Sequence, residues 1–246
     1  MYFYEQLRKG FLCRETAFVL LISIGSYFFF GESQMYNDNF LSDFTFLMGG
    51  NILIVIFPIL LCLPMAMKAV TEFESGYFDL VVMRTSIKKY TLTKLVCNGM
   101  VGGGLLALPA FVYLIRLIAA KGIEQYPAAK AAAQINLFPR LFETHPAAYA
   151  AMVLMGLFLC GAVFATLSLG VAAITKKKYL TLIIPICYYI GSAIVFPNRI
   201  KCLDATTLYN LNGQNNPNLL ISLLYALAIL SVGSTMFVRG VRKNVE

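Results

Sequence analysis

The sequence predicts an all-α membrane protein with six transmembrane helices, for three reasons. Hydrophobic residues make up 59% of the 246 residues and only 13% are charged, whereas soluble domains carry about 25% charged residues. The apolar residues form runs close to the roughly 20 residues that a helix needs to cross the hydrocarbon core of a bilayer. The charged residues collect between those runs. We therefore expect residues 1–246 to form a single transmembrane domain, with no room for a soluble catalytic domain.

Six apolar runs are candidate spans, counted here from the N-terminus as spans one to six. They cover approximately residues 16–31, 46–67, 95–115, 147–174, 179–197 and 218–238. Residues 2–15 precede span one and alternate aromatic with charged side chains, a pattern typical of an amphipathic helix in the membrane interface. Because span one has only about fifteen wholly apolar residues, we expect Arg14 and Glu15 to lie at the headgroup level.

The distribution of basic residues predicts the orientation of the chain. Of the 20 Lys and Arg residues, fourteen lie before span one, between spans two and three, between spans four and five, or after span six. The remaining gaps hold six. Because cytoplasmic loops carry the excess of Lys and Arg, both termini are predicted to be cytoplasmic. Topology thereby explains the net charge of +8, and we expect no nucleic-acid partner.

Residues 68–94 form the one long charged segment of the chain, between spans two and three. Five basic and three acidic residues occur in it, and residues 71–90 are predicted to lie in the cytoplasm. A simple connection between two spans needs only a few residues. The length of this segment therefore indicates a docking surface for a cytoplasmic partner.

A short amphipathic helix is predicted inside this segment. Its apolar face would hold Phe73, Tyr77, Leu80 and Val81. Thr71, followed three residues later by Glu74, fits a capping box at the start of that helix. Residues 84–89 are then expected to form the turn that leads into span three.

Span three contains a group of small residues, namely Gly99, Gly102, Gly103 and Gly104. Small residues let helix backbones approach closely in lipid, where tight packing replaces the hydrophobic effect as the cause of association. We therefore assign these four glycines to helix packing.

Several chemistries lack the residues that they need. The single histidine, His145, is expected in an external loop and not in a catalytic dyad. Most of the six cysteines fall within apolar runs, which predicts buried small side chains and not a disulfide framework or metal site. No phosphate-binding loop of the form G-x-x-x-x-G-K-[ST] occurs, so any nucleotide must bind to another chain. We expect no catalytic residue, metal or enzyme activity on this chain.

One short motif lies at a defined place in this topology. It comprises Glu72-Phe73-Glu74-Ser75-Gly76, then Met83-Arg84-Thr85-Ser86-Ile87-Lys88-Lys89-Tyr90, and finally Lys94. With this motif and its six spans, the chain resembles the permease subunits of bacterial ABC-type exporters of the type-2 class. Such permeases show an acidic residue and a glycine, then Arg-x-Ser, a tyrosine and a lysine that enters the third span. The architecture covers nearly the whole chain, and the motif covers about 25 residues.

The resemblance implies that this segment includes a coupling helix, which seats in a groove on a separate ATPase. The residues that it places at this contact are Glu72, Phe73, Glu74, Gly76, Tyr77, Phe78 and Arg84. The acidic residues would pair with arginines of the ATPase, and the aromatic residues would supply an apolar anchor.

The resemblance also implies the partners and the location. Two copies of a cytoplasmic ABC ATPase would bind ATP and Mg, while this chain would hold no cofactor. A second permease chain, identical or related, would complete the translocation path. The cargo would be hydrophobic or amphipathic, such as an antimicrobial peptide or bacteriocin in export or immunity. The location would be the plasma membrane of a bacterium.

The residues themselves leave two alternatives open. The charged segment would also serve a non-transport sensor or assembly protein that recruits a cytoplasmic partner. The other alternative is an ion-coupled secondary transporter, although no span carries the central ionisable residue that a carboxylate relay needs.

Overall fold

The structure is a computed structural model that describes residues 2–32, 40–122, 138–196, 204–209 and 219–244. Helices, and no strand, occur in these residues. They are α1 (Tyr2–Phe11), α2 (Arg14–Glu32), α3 (Phe40–Gly50), α4 (Leu53–Cys62), α5 (Ala66–Glu74), α6 (Tyr77–Arg84), α7 (Ile87–Lys121), α8 (Pro139–Thr144), α9 (Pro146–Thr175), α10 (Lys178–Val195), α11 (Thr206–Tyr209) and α12 (Leu219–Lys243). The predicted all-α fold is confirmed for the part of the chain that the structure describes.

Five described segments are long and apolar enough to cross a membrane. They are Leu53–Glu74, which joins α4 and α5, and the four helices α7, α9, α10 and α12. Large apolar side chains remain exposed on this bundle, for example Phe29 at 77%, Met155 at 74% and Ile194 at 70%. Such a surface suits hydrocarbon and not water. The chain is therefore a membrane protein by helix length and composition.

Whether the chain has a sixth span depends on the two N-terminal helices, α1 and α2. Phe3–Phe11 and Arg14–Gly31 together are apolar enough to cross a membrane, but they meet at a bend of 48°. One face of α1 packs on α7, where Gly10 approaches Val101 and Phe11 approaches Gly104. The sixth span, the interfacial position of α1 and the side on which the termini lie stay predictions.

Span two was predicted as one helix over residues 46–67, and this prediction is wrong. The structure ends α3 at Gly50, begins α4 at Leu53 and continues through α5 to Glu74. The break lies at Asn51, whose Oδ1 accepts hydrogen bonds from Ser26 Oγ at 2.6 Å and from the Leu53 amide at 3.1 Å. The asparagine side chain thus competes with the backbone for a helical hydrogen bond.

The predicted capping box at Thr71 is also wrong. Thr71 lies inside α5, and its hydroxyl donates to the Met67 carbonyl at 3.2 Å. The helix that ends span two simply runs on past Lys68 to Glu74. Because Thr71 is not at a helix start, its hydroxyl has no free amide to cap.

The chain turns twice around α6. Gly76 joins α5 to α6 with φ +70°, a left-handed conformation that glycine adopts without steric cost. The second turn is shorter than the predicted residues 84–89, because α6 ends at Arg84 and α7 begins at Ile87. Ser86 caps α7, its Oγ accepting from the Lys89 amide at 3.4 Å.

The centre of the bundle is α9, in which residues 160–173 are all buried. It packs on α7 and α12 through small residues. A Cβ added at Gly102 of α7 would meet the Gly161 carbonyl of α9 at 2.8 Å, and one at Gly240 of α12 would meet Ala173 at 2.7 Å. Both crossings therefore depend on the absence of side chains, as expected for helices packed in lipid.

The four glycines predicted for helix packing face two neighbouring helices, α9 and α1. Gly102 and Gly103 face α9, where a Cβ at Gly103 would meet the Phe158 ring at 2.7 Å. A Cβ at Gly104 would lie 3.2 Å from the ring of Phe11 on α1, and one at Gly99 would be in ordinary contact with Ala162 at 3.8 Å.

Candidate docking site

The helix α6 is anchored by one face in a small apolar cluster. Phe78 is 2% exposed, and its ring centroid lies 5.0 Å from that of Phe73 and 5.3 Å from that of Tyr90. The buried members of this cluster, called the anchor cluster below, are Ala69, Phe78, Tyr90, Leu169, Ala173, Phe237 and Val241. They come from α5, α6, α7, α9 and α12, so the cluster joins α6 to one end of four of the five spanning segments.

The opposite face of α6 carries apolar side chains that nothing in the described structure covers. Tyr77, Leu80 and Met83 are 47%, 57% and 81% exposed. Their spacing of three residues places them along one side of the helix, and we call them the α6 stripe. Asp79 and Arg84, both exposed, flank it. With eight residues, α6 is only about 12 Å long and cannot itself cross a membrane.

Glu72 is bound inside the chain. Lys94 Nζ donates to both carboxylate oxygens of Glu72 at 2.6 Å, and the Tyr90 hydroxyl donates to Oε2 at 3.1 Å. The Lys94 side chain is 2% exposed and that of Glu72 is 21% exposed. This ion pair joins the last turn of α5 to the third turn of α7 and satisfies the Glu72 carboxylate without any partner protein.

A second ion pair joins the other end of α7 to α3, between Lys121 and Asp43. At a rise of 1.5 Å per residue, Lys94 and Lys121 lie about 40 Å apart along α7. That distance matches the roughly 40–45 Å thickness of a bilayer with its headgroups. The spacing of the two pairs along α7 therefore fits that of the two headgroup levels of a bilayer.

Glu74 is different from its neighbour Glu72. Its carboxylate lies 3.5 Å from Lys178 of α10, and the two side chains are 47% and 50% exposed. Exposed pairs of this kind contribute about 0–1 kcal/mol, because both partners are well hydrated when apart.

We therefore expect Glu74→Gln to change the free energy of unfolding by less than about 1 kcal/mol. Unfolding of the purified chain in mixed detergent and sodium dodecyl sulfate micelles measures this quantity. A loss of 3 kcal/mol or more would show that Glu74 has a buried partner that the structure does not give it.

The structure brings together some of the residues predicted for the docking site and separates others. Phe73 and Phe78 lie in or against the anchor cluster, Gly76 forms the turn before α6, and Tyr77 lies on the stripe. Arg84 is exposed at the end of α6. Their contact with an ATPase stays a prediction.

Two features of the site were not predicted from the sequence, namely Lys94 as the partner of Glu72 and Met83 as a member of the stripe. A signal for Lys94 was present, because an acidic residue near the end of span two and a basic residue at the start of span three lie at the two ends of the same connecting segment. Met83 was missed because residues 84–89 were predicted as the turn, which placed Met83 at the edge of the helix.

The geometry is the only guide to what this site does. No group of three or more His, Cys, Asp or Glu side chains that could hold a metal ion occurs in the described ranges. Neither a protein-family model, nor a curated protein, nor a solved structure matches this chain significantly.

Proposed function

We propose that this chain is the transmembrane subunit of an ATP-driven exporter, and that a separate cytoplasmic ABC ATPase docks on the α6 stripe. The observation that carries the proposal is the two-sided character of α6. One face is fixed in the anchor cluster, while the other presents Tyr77, Leu80 and Met83 to the outside. A partner that moves α6 must therefore move the ends of α7, α9 and α12.

The stripe has the chemistry of a protein-binding hot spot. Burying an apolar side chain of this size stabilises by about 1.5–3 kcal/mol, and tyrosine and methionine are enriched in the cores of interfaces. Asp79 and Arg84 beside the stripe would orient the ATPase through charge complementarity. Glu74, half exposed, is close enough in sequence to join that rim.

The Glu72–Lys94 pair has a mechanical role in this proposal. It clamps the end of α5 to the start of α7 on either side of α6. The two turns and the helix between them then move as one unit when ATP binding closes the ATPases together. Glu72 thus acts as an internal brace, and the contact with arginines of the ATPase falls to Glu74 and Asp79.

The cargo would enter between the spanning helices. A cavity of about 430 Å³ lies among α9, α11 and α12, and its lining includes Met152, Met155, Phe158, Leu219 and Leu223. Its apolar wall suits a hydrophobic or amphipathic molecule, such as an antimicrobial peptide. A second permease chain, identical or related, would close the path, and ATP and Mg would stay on the ATPase. Both termini would lie in the cytoplasm of a bacterium.

One test is co-purification of the chain with a candidate ABC ATPase from the same genome. Leu80→Glu places a charge in the centre of the stripe and should weaken the complex by about 2 kcal/mol or more, roughly 30-fold. Tyr179→Glu is the matched control, because Tyr179 is 56% exposed at the start of α10, close to the 57% of Leu80, but lies off the stripe.

Three outcomes separate the candidate functions. Loss of the complex in Leu80→Glu alone, together with loss of cargo-stimulated ATP hydrolysis, supports the exporter. Binding through the stripe to a partner that hydrolyses no ATP would favour a recruiting sensor or assembly protein. Transport that persists without any ATPase would favour a secondary transporter and contradict the proposal.

A further inference from the structure

A second cavity, of about 330 Å³, lies at the α6 end of the bundle between α1, α5 and α7. Its polar lining includes Gln6, Lys9, Lys68 and the Glu72–Lys94 pair. Its apolar lining includes Leu12, Met65 and the ring of Tyr77. The docking surface proposed on α6 shares Tyr77 with this cavity but does not use Gln6, Lys9 or Lys68.

The basic side chains in and around this cavity outnumber the acidic ones by one. Lys9, Lys68 and Lys94 bring three positive charges, and Glu72 neutralises Lys94 through both of its oxygens. Lys68 lies 3.3 Å from Glu15 at the rim, where the two side chains are 36% and 48% exposed, so the attraction between them is weak. No carboxylate comes within ion-pair distance of Lys9 in the described residues.

The depth of the cavity identifies the kind of anion that can reach it. Lys94 lines the cavity, is only 2% exposed and belongs to one of the two ion pairs of α7 whose spacing fits the headgroup levels of a bilayer. Leu12 lines the cavity and is 76% exposed, and Phe3 on α1 and Phe18 on α2 are further exposed apolar side chains of the same helix pair. The polar group of an anion with acyl chains could therefore bind in the cavity, while its acyl chains contact the apolar side chains beside it.

We propose that this cavity binds the phosphate-bearing headgroup of an anionic phospholipid. The phosphate would lie between the ammonium groups of Lys9 and Lys68, and its single negative charge matches the excess positive charge of the cavity. The Gln6 amide is a further donor on the wall. Bound there, the lipid would bridge α1 to α5, directly behind the unit that contains α6.

The first experiment compares thermal unfolding of the purified chain in detergent with added lipid. Phosphatidylglycerol should raise the melting temperature, while phosphatidylcholine and inorganic phosphate at the same concentration should not. In the double variant Lys9→Gln/Lys68→Gln, the shift caused by phosphatidylglycerol should fall by more than half, relative to that variant's own baseline. Lys9→Arg/Lys68→Arg should restore it.

The matched control is Lys88→Gln/Lys89→Gln, which removes two exposed positive charges from the same end of the bundle. Phosphatidylglycerol should raise the melting temperature of this control by the same amount as that of the wild type. If this control loses as much of the melting-temperature rise as Lys9→Gln/Lys68→Gln does, then the effect of the lipid depends on the overall charge of the protein. That result would overturn the proposed site. An equal shift with inorganic phosphate would overturn the assignment to a lipid.

A second readout does not depend on stability. The Cys13 thiol lines the cavity and is partly exposed, so a negatively charged maleimide should label it in a Cys187→Ser/Cys202→Ser background. Phosphatidylglycerol should slow this labelling at least threefold in the otherwise wild-type chain and leave it unchanged in Lys9→Gln/Lys68→Gln. The same labelling rate with and without phosphatidylglycerol in the otherwise wild-type chain would contradict the proposal.

Discussion

Replacing Lys94 with methionine is expected to lower the free energy of unfolding by about 3 kcal/mol, near the lower end of the range for a broken buried pair. The substitution removes the only charged partner that the structure gives Glu72 and leaves its carboxylate beside an apolar side chain. The remaining 21% exposure of Glu72 lets some water in, which is why we do not expect the upper end of that range. Unfolding in mixed detergent and sodium dodecyl sulfate micelles measures the loss.

The double variant Glu72→Gln/Lys94→Met separates two contributions to the free energy of unfolding. One is the destabilisation by a Glu72 carboxylate that has lost its partner, and the other is the stabilisation by the ion pair itself. Glutamine keeps an acceptor for the Tyr90 hydroxyl, so most of the lost stability should return, because replacing both ions often costs little. Glu74→Gln/Lys178→Gln, the exposed pair, serves as the control. Equal losses in Lys94→Met and in the double variant would show that Lys94 acts through packing and not through Glu72.

The second large effect is expected at the crossing of α7 and α9. Gly102→Leu should cost about 3 kcal/mol, the upper end of the usual cost of overpacking. The new Cβ would meet the Gly161 carbonyl at 2.8 Å, and a backbone atom cannot rotate away as a flexible side chain can. The two central helices would have to move apart, and the same unfolding assay measures the loss of stability.

Gly25→Leu and Gly191→Leu are the matched controls for this prediction. Both glycines lie in apolar helices, but an added Cβ at either one meets nothing within 4 Å. Leucine favours a helix over glycine by up to about 1 kcal/mol, so neither control should lose stability. If Gly102→Leu unfolds no more readily than these two, then the helices do not cross as closely as the structure shows.

The spanning helices could be predicted because length and composition are properties of the sequence alone. Residues 147–174 were predicted for α9, and the structure has Pro146–Thr175. The break at Asn51 could not be predicted, since it depends on a hydrogen bond from Ser26 on another helix. The capping box at Thr71 failed for a similar reason. A locally valid motif was overridden by a helix that had already begun at Ala66.

The location of the candidate site along the chain could be predicted from the sequence, but the arrangement of its side chains could not. Its charge, its length and its amphipathic pattern marked residues 71–90 as unusual. Which apolar residues face inward depended on the cluster that α6 forms with residues of α5, α7, α9 and α12, so Phe78 became an anchor while Tyr77 stayed exposed. The role of Glu72 depended on its ion pair with Lys94, which joins α5 to α7; the sequence contains both charges but does not give the distance between them.

The measurement that tests the exporter proposal most directly is the accessibility of a cysteine placed on the α6 stripe. Leu80→Cys would be made in a chain whose Cys13, Cys187 and Cys202 are replaced by serine, since the other three cysteines, Cys62, Cys97 and Cys160, are buried. A membrane-impermeant maleimide should label this cysteine only after the cells are opened, and the bound ATPase should then protect it. Labelling in intact cells would place α6 on the outer surface, where no ATPase could reach it.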